Sequence, residues 1–344
     1  MPLAEGIERV EALRVPALPS AAPHDSKDWY HIVLMHAASG WRAIANVNLA
    51  GHGADAVLEW TLVLHTPGEP SRLVGASRSQ PWLPGMVQAR PLSIAGQDVS
   101  YGFDGWQVAL RIAPLDLDLQ LEVVARPAAT PLLVTEGAPF GSGYIGWGIL
   151  PVLQAEGRIA ACGSSASIDG GCFCYHDHIF GLFRWGEDFG WEWLVAHATV
   201  EGEAPLTVVV DWRTDRAHAA GGLPYVFILT GGQLRKVFLG PAMRLRWHWH
   251  DDAELPARLP GALATLLADR PVRRPRAIVL DAADERDRLH LTVDVDAYFE
   301  VIAPDALSTA VTRIGETSGQ ATVELRLADR SFAGRGLAYA EYTR

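Results

Sequence analysis

The stretch from Gly170 to Trp193 holds the densest mixture of polar, aromatic and thiol side chains: Gly-Gly-Cys-Phe-Cys-Tyr-His-Asp-His-Ile-Phe-Gly through Gly181, then Arg184-Trp185 and Trp191-Glu192-Trp193. If Cys172 to Ile179 is one strand, its period of two places Phe173, Tyr175, Asp177 and Ile179 on one face and Cys172, Cys174, His176 and His178 on the other. On the first face, an Asp among apolar neighbours loses hydration. The sequence therefore predicts a raised pKa and a protonated acid able to donate a proton, beside aromatic faces that stabilise developing positive charge. The plainer alternative is a structural Asp paired with Arg184 or a nearby turn. The second face offers possible zinc or iron ligands, which would need a third from another strand, such as His31, His36, His248 or His250; ordinary packing of buried Cys and His is the stronger reading, and no metal is assigned.

Other motifs add little. Trp247-His248-Trp249-His250 reads as two tryptophans facing a core and two histidines facing outward. Gly141-Ser-Gly and Gly163-Ser-Ser lack the strand-to-helix setting of a nucleophile elbow, and no phosphate-binding glycine loop occurs. No cofactor is implied.

These residues need strands to hold them. Apolar and polar residues alternate over Trp29–Leu49, Val57–His65, Trp106–Ile112, and most clearly Leu115–Glu122. The habit returns in Phe189–Thr199, Leu206–Trp212, Pro224–Thr230, Arg244–His250, Leu289–Val295 and Ala321–Leu327. One short helical window, Leu259–Leu267, competes. Many short strands and almost no helix predict an all-β chain of two tandem antiparallel barrels. A chain of 344 residues has room for two cores. The Pro-rich Pro127–Pro131 and Gly-rich Gly137–Gly148 interruptions place the boundary between about 128 and 160, giving residues 1–145 and 146–344, with a pocket expected near the junction.

Composition narrows the partners. A net charge of −11, with no Lys/Arg block, excludes nucleic acid as an expected partner, and no apolar run is long enough to span a membrane as a helix. The opening residues show no basic patch followed by an apolar run, so a cytoplasmic location is expected. The three cysteines, clustered at 162, 172 and 174, do not form a disulfide framework. Twelve tryptophans suit a cavity for an elongated apolar ligand.

Four features together resemble the lipocalin-like family of carotenoid 1,2-hydratases and AttH-type proteins: Asp28-Trp29-Tyr30, Gly143-Tyr144, Tyr175-His176-Asp177-His178 with Gly181 and Trp191-Glu192-Trp193, and the closing Gly334-Arg335-Gly336 with Glu341-Tyr342. The resemblance implies two lipocalin-like barrels around a long apolar molecule, with Asp177 as the acid that protonates an alkene and Tyr175 beside it. It implies Tyr144, Trp147 and His178 as substrate contacts, to which Trp185, Trp191 and Trp193 are added as pocket walls. Related folds include pericyclases and tocopherol cyclases. Where the hydratases carry Asn or Gln, then Trp and Gly, this chain has Ile179-Phe180-Gly181. The missing amide weakens the case for placing a water and favours cyclisation. The leading expectation is a cofactor-independent cyclase of a polyene, isoprenoid or polyketide. Alkene hydration, a non-catalytic carrier of a hydrophobic molecule and a zinc hydrolase are the rivals.

Overall fold

The first compact unit of the computed structural model runs from Met1 to Arg184 and the second from Trp185 to Arg344. The structure describes residues 3–14, 26–51, 56–68, 72–83, 85–185, 188, 190–214, 224–260, 262–304, 308–328 and 330–343. Both units are antiparallel, lipocalin-like barrels, as the alternation predicts.

In the first unit a helix, α1 (Leu3–Glu11), precedes twelve strands: β1 (Ser26–His36), β2 (Trp41–Ala50), β3 (Val57–Thr66), β4 (Arg72–Pro81), β5 (Val87–Ala89), β6 (Leu92–Ala95), β7 (Val99–Phe103), β8 (Val108–Ile112), β9 (Leu119–Pro127), β10 (Leu132–Phe140), β11 (Gly143–Ala161) and β12 (Ser164–Leu182). They join in the order β4-β3-β2-β1-β12-β11-β9-β8-β7-β6-β5, with β10 added to β11. The sheet curls so that its β4 edge reaches the turn between β6 and β7: Arg78 of β4 pairs at 2.8 Å with Asp98, and the Gln97 N–H donates to Gln80. Inside lie alternate residues of each strand, Tyr30, Ile32 and Leu34 from β1 and Leu119, Leu121, Val123 and Ala125 from β9 among them, with Ile7 and Val10 of α1.

The division of the chain differs from the sequence expectation of residue 145. β11 and β12 form a long hairpin that bonds β1 on one side and β9 on the other, so the residues to 182 complete the first sheet and the break comes after them. The Gly-rich stretch is thus the entry to a central strand. Leu115–Glu122 is a second correction. Residues 115–118 are turn, with Leu115 99% exposed, because Asp116 is drawn to Arg78 and the Asp118 carbonyl and carboxylate take the Cys162 and Gly163 N–H groups. The strand starts only at Leu119.

The second unit contains β13 (Gly190–Val200), β14 (Leu206–Thr214), β15 (Tyr225–Thr230), β16 (Gln233–Leu239), β17 (Met243–Glu254), β18 (Ala257–Arg258), α2 (Ala262–Leu266), β19 (Val272–Ala283), β20 (Arg288–Pro304), β21 (Val311–Leu327) and β22 (Arg330–Thr343). The order is β16-β15-β14-β13-β22-β21-β20-β19-β17, with β18 parallel to β20. Lys236 of the edge strand β16 bridges to Asp284 and Asp287 in the turn between β19 and β20, so the sheet curls back on itself. Its core takes Leu194, Ala196 and Ala198 from β13 and Ala338 and Ala340 from β22. No described helix is long and apolar enough to cross a membrane.

Candidate functional site

Between β1 and β11, the last ten residues of β12 are buried on both faces apart from half-buried Leu182. Asp177 stands opposite His31 on one side and Ile149 on the other; Ile179 stands opposite Trp29 and Trp147. Direct partners share a face. Trp29, His31, Trp147, Tyr175 and Asp177 therefore line one surface, as the period of two predicts. The Tyr175 hydroxyl donates to Asp177 Oδ2 at 2.8 Å, and His31 Nδ1 lies 3.6 Å from Oδ1. Trp29 is held by its indole N–H, which donates to Asn46 Oδ1 at 2.6 Å, and its ring lies 6.2 Å from that of His31.

The charge state of Asp177 differs from the sequence expectation. Burial alone raises its pKa, but His31, the Tyr175 hydroxyl and the charge of His176 outweigh burial and hold it below the usual carboxylate value. Asp177 is thus an ionised acceptor at neutral pH. The sequence could not show that its cross-strand neighbour is a histidine, because His31 lies 146 positions earlier on β1.

The other face looks into the barrel, and the sequence-predicted contact His178 is there, turned away from Asp177. Its Nδ1 bonds the Val10 carbonyl at 2.7 Å and its Nε2 the Asp28 carboxylate, while Tyr30 stacks on its ring at 4.2 Å. His176 Nδ1 bonds the His31 carbonyl at 2.8 Å, and its Nε2 bonds Glu11 Oε1 at 2.7 Å. Glu11 also accepts from the Tyr101 hydroxyl. Burial opposes charge on both partners, yet their pairing lowers the Glu11 pKa and raises that of His176, so they form an ion pair 0–1% exposed. The thiols of Cys172 and Cys174 are kept protonated by burial, the first pushed up to about 12. Both histidines have both nitrogens engaged, and among the described residues no group of three or more His, Cys, Asp or Glu could hold a metal. Tyr144 lies on this barrel-facing side of β11, one position from Ile145 and on the face opposite Trp147. Of the first-unit residues picked from sequence, the structure thus brings together Trp147, Tyr175 and Asp177, and separates Tyr144 and His178 from them. Glu11 and α1 were missed; the spacing of Ile7, Val10 and Glu11 is the helical signal that was present.

Trp185, Trp191 and Trp193 belong to the second unit. Trp185 and Trp191 have ring centroids 5.7 Å apart, and the Trp191 indole donates to Glu341 Oε2 at 3.0 Å. Trp191 and Trp193 lie on the face of β13 opposite the core residues Leu194 and Ala196. Gly186, Glu187 and Phe189 lie outside the described residues. On the core side, Glu192 stands opposite Trp212 and Tyr342. Tyr342 meets Trp247 and Trp249 edge-on at 4.9 and 5.0 Å, so both tryptophans of the Trp-His-Trp-His run do face inward. Burial pushes Glu192 up to about 7, against a smaller opposing effect of the Trp247 indole.

Two lipocalin-like barrels in sequence, with buried polar groups on their central strands, define the structural class. Within it the chain is similar to an AttH candidate from Nitrosomonas europaea, with TM-score 0.61 and 15% identity over 94% of this chain and 97% of that one. It is also similar to kievitone hydratase from Nectria haematococca, with TM-score 0.59 and 12% identity over 97% and 94% of the two chains. CghA in complex with Sch210972 follows, with TM-score 0.57 and 11% identity over 92% and 88%. At these identities the likeness is one of fold. No family model and no curated protein matches the chain.

Proposed function

We propose that the protein is a cofactor-independent cyclase of the lyase or isomerase type, acting on a hydrophobic polyene, isoprenoid or polyketide. The observation that carries this reading is the buried cluster of Asp177, Tyr175 and His31 on the face that also carries Trp29 and Trp147. An ionised carboxylate fixed among aromatic rings stabilises positive charge developing on a bound substrate. Its negative charge also holds the His31 ring for proton transfer. Holding a flexible chain in a reactive fold supplies much of the barrier reduction in a ring closure, so few polar groups suffice. Tyr175 positions Asp177 through its hydrogen bond. The fold neighbours, one of them a hydratase by name, support chemistry on a small organic substrate.

The test is to purify the protein from a polyene-rich extract, identify the co-purifying molecule by mass spectrometry, and compare its turnover by the protein and by Asp177→Asn. Loss of turnover by about 100-fold or more with retained binding supports the reading. A ligand bound equally by both and converted by neither makes the protein a carrier and overturns it.

A further inference from the structure

One row of side chains crosses the second barrel on the face opposite its core. Asp211, Trp193, Glu341, Glu316 and Phe299 are successive cross-strand partners on β14, β13, β22, β21 and β20. Each is buried, none more than 5% exposed. Asp211 is neutralised by Arg213, whose Nε donates to Oδ2 at 3.0 Å. Glu316 and Glu341 stand side by side. Two carboxylates in direct cross-strand register, out of water, repel each other too strongly for both to ionise, so one proton stays between them. The Trp191 indole, an obligate donor, points at Glu341 Oε2 at 3.0 Å and favours the anion there. The proton is thereby assigned to Glu316. Burial, then the charge and hydrogen bond of Glu341, raise the Glu316 pKa well above the ordinary carboxyl value.

A second observation points to a ligand. Glu316 Oε2 is buried and has no hydrogen-bond partner among the described residues, although Glu316 as a whole is 95% withdrawn from solvent. A buried polar atom left unpaired is costly unless something fills its place. We propose that the Glu316–Glu341 pair is a proton donor to an apolar substrate bearing a polarisable alkene or carbonyl, with Glu316 giving the proton and the cation formed on the substrate offsetting the second negative charge left on the pair. The inference concerns the second barrel by itself and goes beyond the function proposed above, whose carrying cluster lies in the first unit. In the step, the Glu316 O–H bond breaks and its electron pair stays on the carboxylate. The proton forms a C–H or O–H bond, and the substrate becomes a cation. Attack on that cation by an internal double bond closes a ring, and loss of a neighbouring C–H proton back to Glu316 restores the pair.

The pair is tested without any turnover. Infrared titration of the full protein is expected to show a protonated carboxyl persisting above neutral pH, absent in Glu316→Gln and unchanged in Glu192→Gln, which instead removes the component titrating near 7. Glu316→Gln keeps an N–H donor toward Glu341 and is expected to fold, as checked by circular dichroism; Glu316→Asp is the second variant. A conjugated polyene ketone added as probe is expected to shift its absorption to the red on binding, with the shift lost in Glu316→Gln at unchanged affinity and partly kept in Glu316→Asp. No protonated carboxyl above neutral pH, or identical ketone spectra in the protein and Glu316→Gln, overturns the inference. Because neither readout needs a natural substrate, absence of turnover on polyenes would count against the proposed function while the infrared and ketone spectra still decide whether Glu316 holds and gives the proton.

Discussion

At the residue scale, the first barrel answers the cost of burying charge by pairing it. Glu11 and His176 sit 2.7 Å apart with almost no exposure, and the Tyr101 hydroxyl completes the carboxylate. A buried pair of this kind is a weak stabiliser against a hydrophobic replacement, but removing one member leaves the other uncompensated, at about 3–5 kcal/mol. Glu11→Gln is therefore expected to lower the denaturant midpoint strongly, while a His176→Ala, Glu11→Ala double change costs less than the sum of its parts. Equal costs in an unfolding series would show that the two residues do not interact. The alternation of β12 was legible in the sequence, and it set Tyr175 with Asp177 correctly. What could not be read was the partner across each strand. His31 beside Asp177, and Glu316 beside Glu341, are juxtapositions made by long-range register, which one strand's pattern does not encode. The error over the charge of Asp177 followed from that gap.

At the element scale, the β11–β12 hairpin sets the position of the Asp177 face, and its geometry depends on Gly181. That residue has φ +151°, and a Cβ there would lie 2.2 Å from the Tyr144 carbonyl oxygen. Its place in the motif after His178 is explained by this close approach. Gly336 plays the matching part in the second barrel, where a Cβ would lie 1.9 Å from the His197 carbonyl oxygen. Gly181→Ala must therefore push β11 from β12. The cost is at least the roughly 1–3 kcal/mol of a strained backbone position, plus the lost pairing. It is expected to show as a lower melting temperature and faster amide exchange in Tyr144–Trp147, and unchanged exchange there would mean that the strands absorb the added methyl without parting. Strands with both faces buried were recognised from sequence as strands. The turn at residues 115–118 was mistaken for one because Leu-Asp-Leu-Asp alternates perfectly, while its aspartates are engaged by Arg78 and by backbone N–H groups that lie far away in the chain.

At the scale of the whole molecule, two cores fold from one chain, and the two-barrel plan was legible from the strand texture, whereas its boundary was not. Glycine and proline mark interruptions in a strand pattern, and Gly143–Gly148 turned out to open the strand that completes the first sheet. The buried titratable groups also give the molecule a pH response made of opposing parts. Glu192 is raised from 4.5 to about 7, so the folded state binds its proton more tightly, and the fold loses stability as pH rises from 4.5 through 7. That shift corresponds to about 3 kcal/mol at most, fully felt above the folded value. Glu316, raised in the same direction, extends the loss to higher pH. His176, raised by Glu11, contributes stability present below 6.5 and lost as pH climbs through its folded value. Glu11 and Asp177 run the other way: lowered from 4.5 and 3.8, they stabilise above those values and lose that contribution as pH falls through the folded ones. Together these place the stability maximum in mildly acidic solution, near the unfolded carboxyl range. Melting at pH 5.5 is therefore expected at a higher temperature than at pH 8. Glu192→Gln should recover up to about 3 kcal/mol at pH 8 and nothing at pH 4, which flattens the decline. A melting temperature that rises steadily from pH 5.5 to 8, or a Glu192→Gln profile parallel to that of the unaltered protein, would mean that these carboxyls are ionised in the folded chain and that its buried faces are wetter than their packing implies.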